Sequence, residues 1–146
     1  MPTIQEFWIK LKSLLNLARL SINGRLSQLD LTSAAGDIIF HLMGEESGLP
    51  QEALCERLNI GKAAISRTVD SLVYKGYAQR AKHPGDARSC LVSLTPKGQG
   101  ISTWVREIYD SVFRDIRRDI PEEDFVSVSL LLDRILHNLG GERQGQ

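Results

Sequence analysis

Cysteine is scarce in this chain of 146 residues: Cys55 and Cys90 are the only two. They form no CxxC pair and no disulfide framework, which points to a reducing, cytoplasmic setting. No stretch approaches 18 uninterrupted apolar residues, which excludes a membrane-spanning helix. The most apolar early stretch, Leu11 to Leu20, is broken by Lys12, Asn16 and Arg19, and no cleavage-site pattern follows it, so no signal peptide is expected. His41, His83 and His137 have no ligand-like spacing with one another or with the cysteines, so neither a metal nor another cofactor is expected. A Gly-rich phosphate loop, GxSxG, HExxH and a Cys/His pair with an orienting third residue are all missing, so no catalytic residue is expected. The acids Glu122, Glu123 and Asp124 follow Pro121 at a helix start, where the macrodipole explains them.

Net charge is missing too, with 18 Lys and Arg against 18 Asp and Glu. Its distribution is uneven. From Lys62 to Arg88 six bases face two acids, a local charge of +4, whereas Leu31 to Gly61 holds one base and five acids, or −4. One concentrated basic segment in a neutral chain is compatible with an electrostatic footprint on DNA. The rest of the composition, 42% hydrophobic and 25% charged, is that of an ordinary globular domain.

Apolar periodicity predicts a helix from Ile4 to about Ile22, ended by Asn23-Gly24. Thr32 or Ser33 caps a second helix, with Ala35, Ile38, Ile39, Leu42 and Met43 inward and Gly44 as its stop. A short helix runs from Pro50 to Leu58. A tight turn over Leu58-Asn59-Ile60-Gly61 follows, with Asn59 suited to the left-handed conformation. A further helix spans Lys62 to about Lys75, burying Ala64/Ile65, Thr68/Val69 and Leu72/Val73, and Gly76 caps it. Tyr77–Lys82 and Cys90–Leu94 read as strands around a loop from His83 to Arg88. Thr95-Pro96 opens a long helix to Asp119, with Ile101, Trp104, Val105, Ile108, Val112, Phe113 and Ile116 in a nearly heptad stripe. Pro121 opens a last helix with Phe125, Val128, Leu132, Ile135, Leu136 and Leu139 on its apolar side. The fold class is therefore mainly α with a small β-hairpin wing, in the order α-α-α-α-β-β-α-α.

Two short helices joined by a tight turn and followed by a basic hairpin form the layout of a winged helix-turn-helix. The run from Leu54 to Leu72, then Lys75-Gly76-Tyr77, Asp86-Ala87-Arg88 and Val92-Ser93-Leu94-Thr95-Pro96-Lys97-Gly98, resembles the MarR family of bacterial transcription regulators. The wing pattern D-x-R followed by L-T-x-x-G is its most specific part. Cys55 stands where such motifs usually carry alanine, Asn59 where they carry glycine, and Pro50 where a threonine cap is common. The resemblance implies one MarR-like domain over 1–146. Its parts are a DNA-binding winged segment over 31–96, a helical dimerisation region from 1–30 and 97–140, and a polar tail over 141–146.

Burying Ile65, Val69 and Leu72 turns Lys62, Ser66 and Arg67 to other faces of the helix, with Ser66 and Arg67 in the half that enters the major groove. Arginine's planar fork matches the O6/N7 edge of guanine, serine can donate or accept, and Lys62 suits a phosphate. In the wing, Gly85 is expected to make the sharp turn and Arg88 to reach a minor groove, where narrow A·T tracts attract arginine. The resemblance implies that Asp86 holds the Arg88 guanidinium. Thr68 and His83 complete the expected DNA-binding set of Lys62, Ser66, Arg67, Thr68, His83, Asp86 and Arg88.

The apolar stripes at both chain ends exceed what a winged domain can cover, so a C2 homodimer is expected. The resemblance implies a ligand-responsive repressor of double-stranded DNA targets. A small aromatic or phenolic acid would suit a junction lined by Phe40, Met43 or Trp104 with Arg19 or His41 as polar handle. The same residues suit simple packing of that junction. The alternative function is a winged-helix module for protein contacts without DNA binding.

Overall fold

The computed structural model describes residues 1–141, so most of the expected polar tail lies outside the described residues. The chain divides into two compact units, Met1–Val112 and Phe113–Gln146.

The first unit begins with α1 (Ile4–Leu26), started by a capping box in which Thr3 and Glu6 satisfy each other's backbone N–H groups at 3.2 and 2.9 Å. Asn23-Gly24 does not end this helix. Gly24 keeps a helical conformation, and the chain turns later, through a 3-10 segment (Ser27–Leu29) and left-handed Asp30. The extra turn carries fully buried Leu26 against α2 (Ser33–Leu42), where Gly36 leaves room for it; a Cβ there would lie 2.4 Å from the leucine methyl. Thr32 is the N-cap of α2, accepting from the Ala35 N–H at 3.2 Å. Ala35, Ile38, Ile39 and Leu42 are buried and Met43 is half-buried.

Leu49–Pro50 forms a short strand, β1, that the sequence did not reveal. It pairs antiparallel with the strand β3 (Asp86–Leu94), Leu49 opposite Val92 and Pro50 opposite Leu91, so Pro50 precedes α3 (Gln51–Leu58) instead of opening it. Gly48 permits the approach: its φ is +78° and a Cβ would meet the Val92 carbonyl oxygen at 2.5 Å. Asn59 turns the chain at φ 56°, as expected, into α4 (Lys62–Tyr74). Ile65, Val69 and Leu72 reach the core with Leu54, whereas Val73, expected inward, is 39% exposed. Its position lies 100° around the helix from Leu72, beyond the buried stripe.

The wing is longer than its sequence pattern suggested. β2 (Ala78–His83) and β3 (Asp86–Leu94) leave only Pro84-Gly85 between them, giving a three-stranded sheet in the order β1-β3-β2. Its exposed outer residues lack the apolar alternation that marks a strand. Gly85 makes no positive-φ turn; the His83 Nδ1 instead accepts from the Gly85 N–H at 3.0 Å and shapes the tip.

Thr95 caps α5 (Pro96–Arg117) by accepting from the Gly98 N–H at 3.0 Å. Half-buried Asp37 accepts a hydrogen bond from the Tyr109 hydroxyl, Phe40 stacks on the Tyr109 ring at 4.5 Å, and His41 meets Phe40 edge-on. Burial pushes the Asp37 carboxyl above its ordinary 3.8, although the tyrosine bond and His41 pull the other way. Burial pushes the His41 imidazole below 6.5, helped by Arg57 and opposed by Asp37. A depressed histidine binds fewer protons folded than unfolded, so its contribution is complete above pH 6.5 and is lost as pH falls toward the folded value. Melting curves from pH 7.5 down to 5.5 should therefore show a smaller loss of stability for His41→Gln than for the native chain. Asp37 acts in the opposite sense over the interval above 3.8, where rising pH costs stability.

In the second unit, α6 (Glu122–Asn138) buries no residue. Phe113 and Phe125 meet edge-to-face at 5.3 Å, with the Arg117 guanidinium over both rings. The apolar stripe read as inward is exposed for most of its length.

Candidate nucleic-acid interface

α4 is the element that the turn at Asn59 and the wing present together. Lys62 is its first residue and is exposed, as is Arg67 in its first half. Ser66 is half-buried. Thr68 is also half-buried and donates its hydroxyl to the Ala64 carbonyl at 3.0 Å, so only its lone pairs remain for another partner. On the wing, the Asp86 carboxylate accepts from the Arg88 backbone N–H at 2.9 Å. That replaces the expected grip on the guanidinium: an Asx-type bond two residues on is the closer geometry for so short a side chain. Arg88 itself is exposed on β3 and borders the same small cavity as Lys62. His83, at the tip, is committed through Nδ1 to the turn.

The residue that ties these parts together escaped the sequence reading. Arg80, on β2, donates Nη1 to the Asp70 carboxylate at 2.5 Å and Nη2 to the Ser66 carbonyl at 3.1 Å, both on α4. Its Nε lies 3.4 Å from Gln51 Oε1, on α3. One guanidinium thus braces the wing against both helices of the helix-turn-helix. A signal was present. Strand alternation puts Arg80 on the face of buried Ala78, where a charge needs an acid, and Asp70 is turned out of the core. Arg80, Lys82 and Arg88 also line a groove of about 370 Å³ along the wing.

Among the residues expected to form an effector junction, Phe40 and His41 meet edge-on, their ring centroids 5.8 Å apart. Phe40 is stacked on Tyr109 and Trp104 is 65% exposed. Arg19 lies on α1 against Asn16. Met43 lines a cavity of about 280 Å³ with Leu42, Gly44, Glu45, Glu46 and Leu94, whose two carboxylates disfavour an organic acid.

Residues 29–89 match the model of the MarR family. The chain is 27% identical over 116 residues to the multiple antibiotic resistance protein MarR of Escherichia coli strain K12, covering 79% of this chain and 80% of that one. The crystal structure of transcriptional regulator PA3341 superimposes with a TM-score of 0.82 at 27% identity, over 92% of this chain and 98% of the other. A mutant MarR from E. coli, complexed with operator DNA, gives a TM-score of 0.74 at 23% identity, over 92% and 99%.

Proposed function

We propose that this chain, whose residues 29–89 match the MarR family model, is a MarR-type sequence-specific double-stranded DNA-binding transcription regulator, a repressor acting as a homodimer on a pseudo-palindromic operator. The observation that carries the reading is the braced pair of α4 and wing, with Lys62 and Arg67 exposed on one and Lys82 and Arg88 on the other. The operator-bound MarR, which shares the fold, supports the same assignment. Four of the seven expected contacts are exposed, the cations Lys62, Arg67 and Arg88 and the wing's Asp86, while Ser66, Thr68 and His83 are half-buried and act closer to the scaffold. The protein works by binding and not by catalysis. Among the described residues no helix is long and apolar enough to cross a membrane, and we place the regulator in the cytoplasm beside its DNA.

Exposed apolar residues on α1, among them Phe7, Trp8, Leu14 and Leu15, and on α6, among them Leu131, Leu132 and Leu136, support a second copy as the covering partner.

The test begins with recovery of genomic fragments bound by the full chain, followed by titration at several salt concentrations. Lys62→Ala should weaken every duplex to a similar degree and flatten the slope of log K against log salt by about one per protomer. A chain that retains no duplex and shows no salt dependence would instead favour the protein-contact module.

A further inference from the structure

Tyr74 closes α4 and is 93% exposed. The other two tyrosines are half-buried and engaged: Lys97 Nζ stands 4.9 Å from the Tyr77 ring, and the Tyr109 hydroxyl donates to Asp37. Tyr74 makes neither kind of contact among the described residues, so its hydroxyl keeps its donor for an outside partner. Its place on the helix is that of the reading face. Arg67 and Tyr74, seven residues apart, complete nearly two turns and lie within about 20° of each other around the axis, on the side away from buried Ile65, Val69 and Leu72. Asp70, the only acid on α4, is also turned out of the core, and its ion pair with Arg80 offsets the charge that a polyanion would otherwise meet there. Two lysines staple the end of the helix. Lys75 Nζ donates to the Asp30 carbonyl at 2.6 Å and Lys97 Nζ to the Lys75 carbonyl at 2.8 Å. Both cations are thus committed to the protein, and the phenol is the donor that stands farthest along this face.

We propose that Tyr74 is a contact to the DNA backbone, its hydroxyl donating to a phosphate oxygen at the edge of the major groove that Arg67 enters. Seven residues at 1.5 Å each carry it about 10 Å from Arg67, comparable with the groove's width of about 12 Å. Arg67 then meets base edges while Tyr74 meets the wall of the groove. Tyrosine hydroxyls are among the groups that fix a protein's register on phosphates without reading sequence. Because the last turn of α4 is stapled at Asp30 and Lys97, such a contact sets how far the whole helix enters. Continuity with the face of Arg67 is what commits Tyr74 to duplex DNA, and the assignment rests on the function proposed above.

The experiment titrates a recovered genomic fragment and a random duplex of equal length with the full chain, Tyr74→Phe and Tyr74→Ala, at several salt concentrations. Both variants should bind both duplexes about tenfold or more weakly, the worth of a hydrogen bond to a charged group. The preference for the genomic fragment should stay, because a phosphate carries no sequence. The salt slope should stay too, since a neutral hydroxyl displaces no counterion, in contrast to Lys62→Ala. Thermal melts should match the native chain, because the side chain stands in water. Tyr74→Phe binding as tightly as the native chain would overturn the contact, and so would a loss confined to the genomic fragment. A changed oligomeric state with affinity intact would assign Tyr74 to a protein contact and overturn it as well. In these three outcomes the native chain still binds DNA and the proposed function stands. A native chain that binds no duplex overturns that function and the contact with it.

Discussion

Arg67→Ala should weaken operator binding by about 1–3 kcal/mol for each half-site, the worth of a bidentate arginine–guanine contact. A two-fold site loses such a contact twice, and well-separated losses add. Arg67 is exposed in the first half of α4, the half that enters a major groove in this class of fold. The brace from Arg80 to Asp70 and to the Ser66 carbonyl holds that half against the wing, so the arginine fork is presented at a fixed angle. Arg67→Lys separates base reading from charge. A lysine keeps the phosphate attraction but lacks the planar fork, so specificity for the operator over random duplex should fall while the salt slope stays. Fluorescence anisotropy with both duplexes measures this. Equal binding by all three chains would mean that Arg67 is merely a solvated residue.

Gly98→Ala should destabilise the fold by about 1–3 kcal/mol, or more, while Gly100→Ala should stabilise it by about 0.5–1 kcal/mol. The two glycines lie two positions apart in α5, with the same helical backbone and opposite surroundings. A Cβ at position 98 would stand 1.9 Å from the Tyr77 carbonyl oxygen, a backbone atom held in place by the Thr95 N–H at 3.1 Å. A Cβ at position 100 meets nothing within 4 Å and only removes backbone freedom from the unfolded chain. Position 98 also sits where Thr95 reaches back to the Gly76 carbonyl and Lys97 to the Lys75 carbonyl, so the strain falls on the joint between wing and long helix. Thermal melts of the two variants decide it by the sign of the shift.

Helices were readable where one face is buried. Ile38, Ile39, Leu42, Ile65, Val69 and Leu72 repeat at helical spacing because they share one core. The turn at Asn59 and the cap at Thr95 were readable because few residue types serve there. β1 was not, since two residues, one of them proline, carry no period; only the close approach at Gly48 marks it. The wing's true length was hidden because its outer half faces solvent on both sides. In the site, Lys62, Arg67 and Arg88 were legible as exposed bases in a helix-turn-helix pattern, while Arg80 appeared as one more base. Its role depends on Asp70, Ser66 and Gln51, which lie 10, 14 and 29 positions away.

In the proposed function, a two-fold pair of braced winged domains reads two half-sites on one face of the duplex. Such half-sites lie about one helical turn apart, roughly 34–36 Å. The direct measurement takes a bound genomic fragment, inserts half a turn of duplex, about 5 base pairs, between its half-sites, and compares affinities. The second half-site is then carried to the opposite face, and affinity should fall to that of a single half-site. Insertion of a full turn, about 10 base pairs, should cost less than the half-turn, since both half-sites return to one face. Equal affinity for the parent and half-turn fragments would contradict the claim.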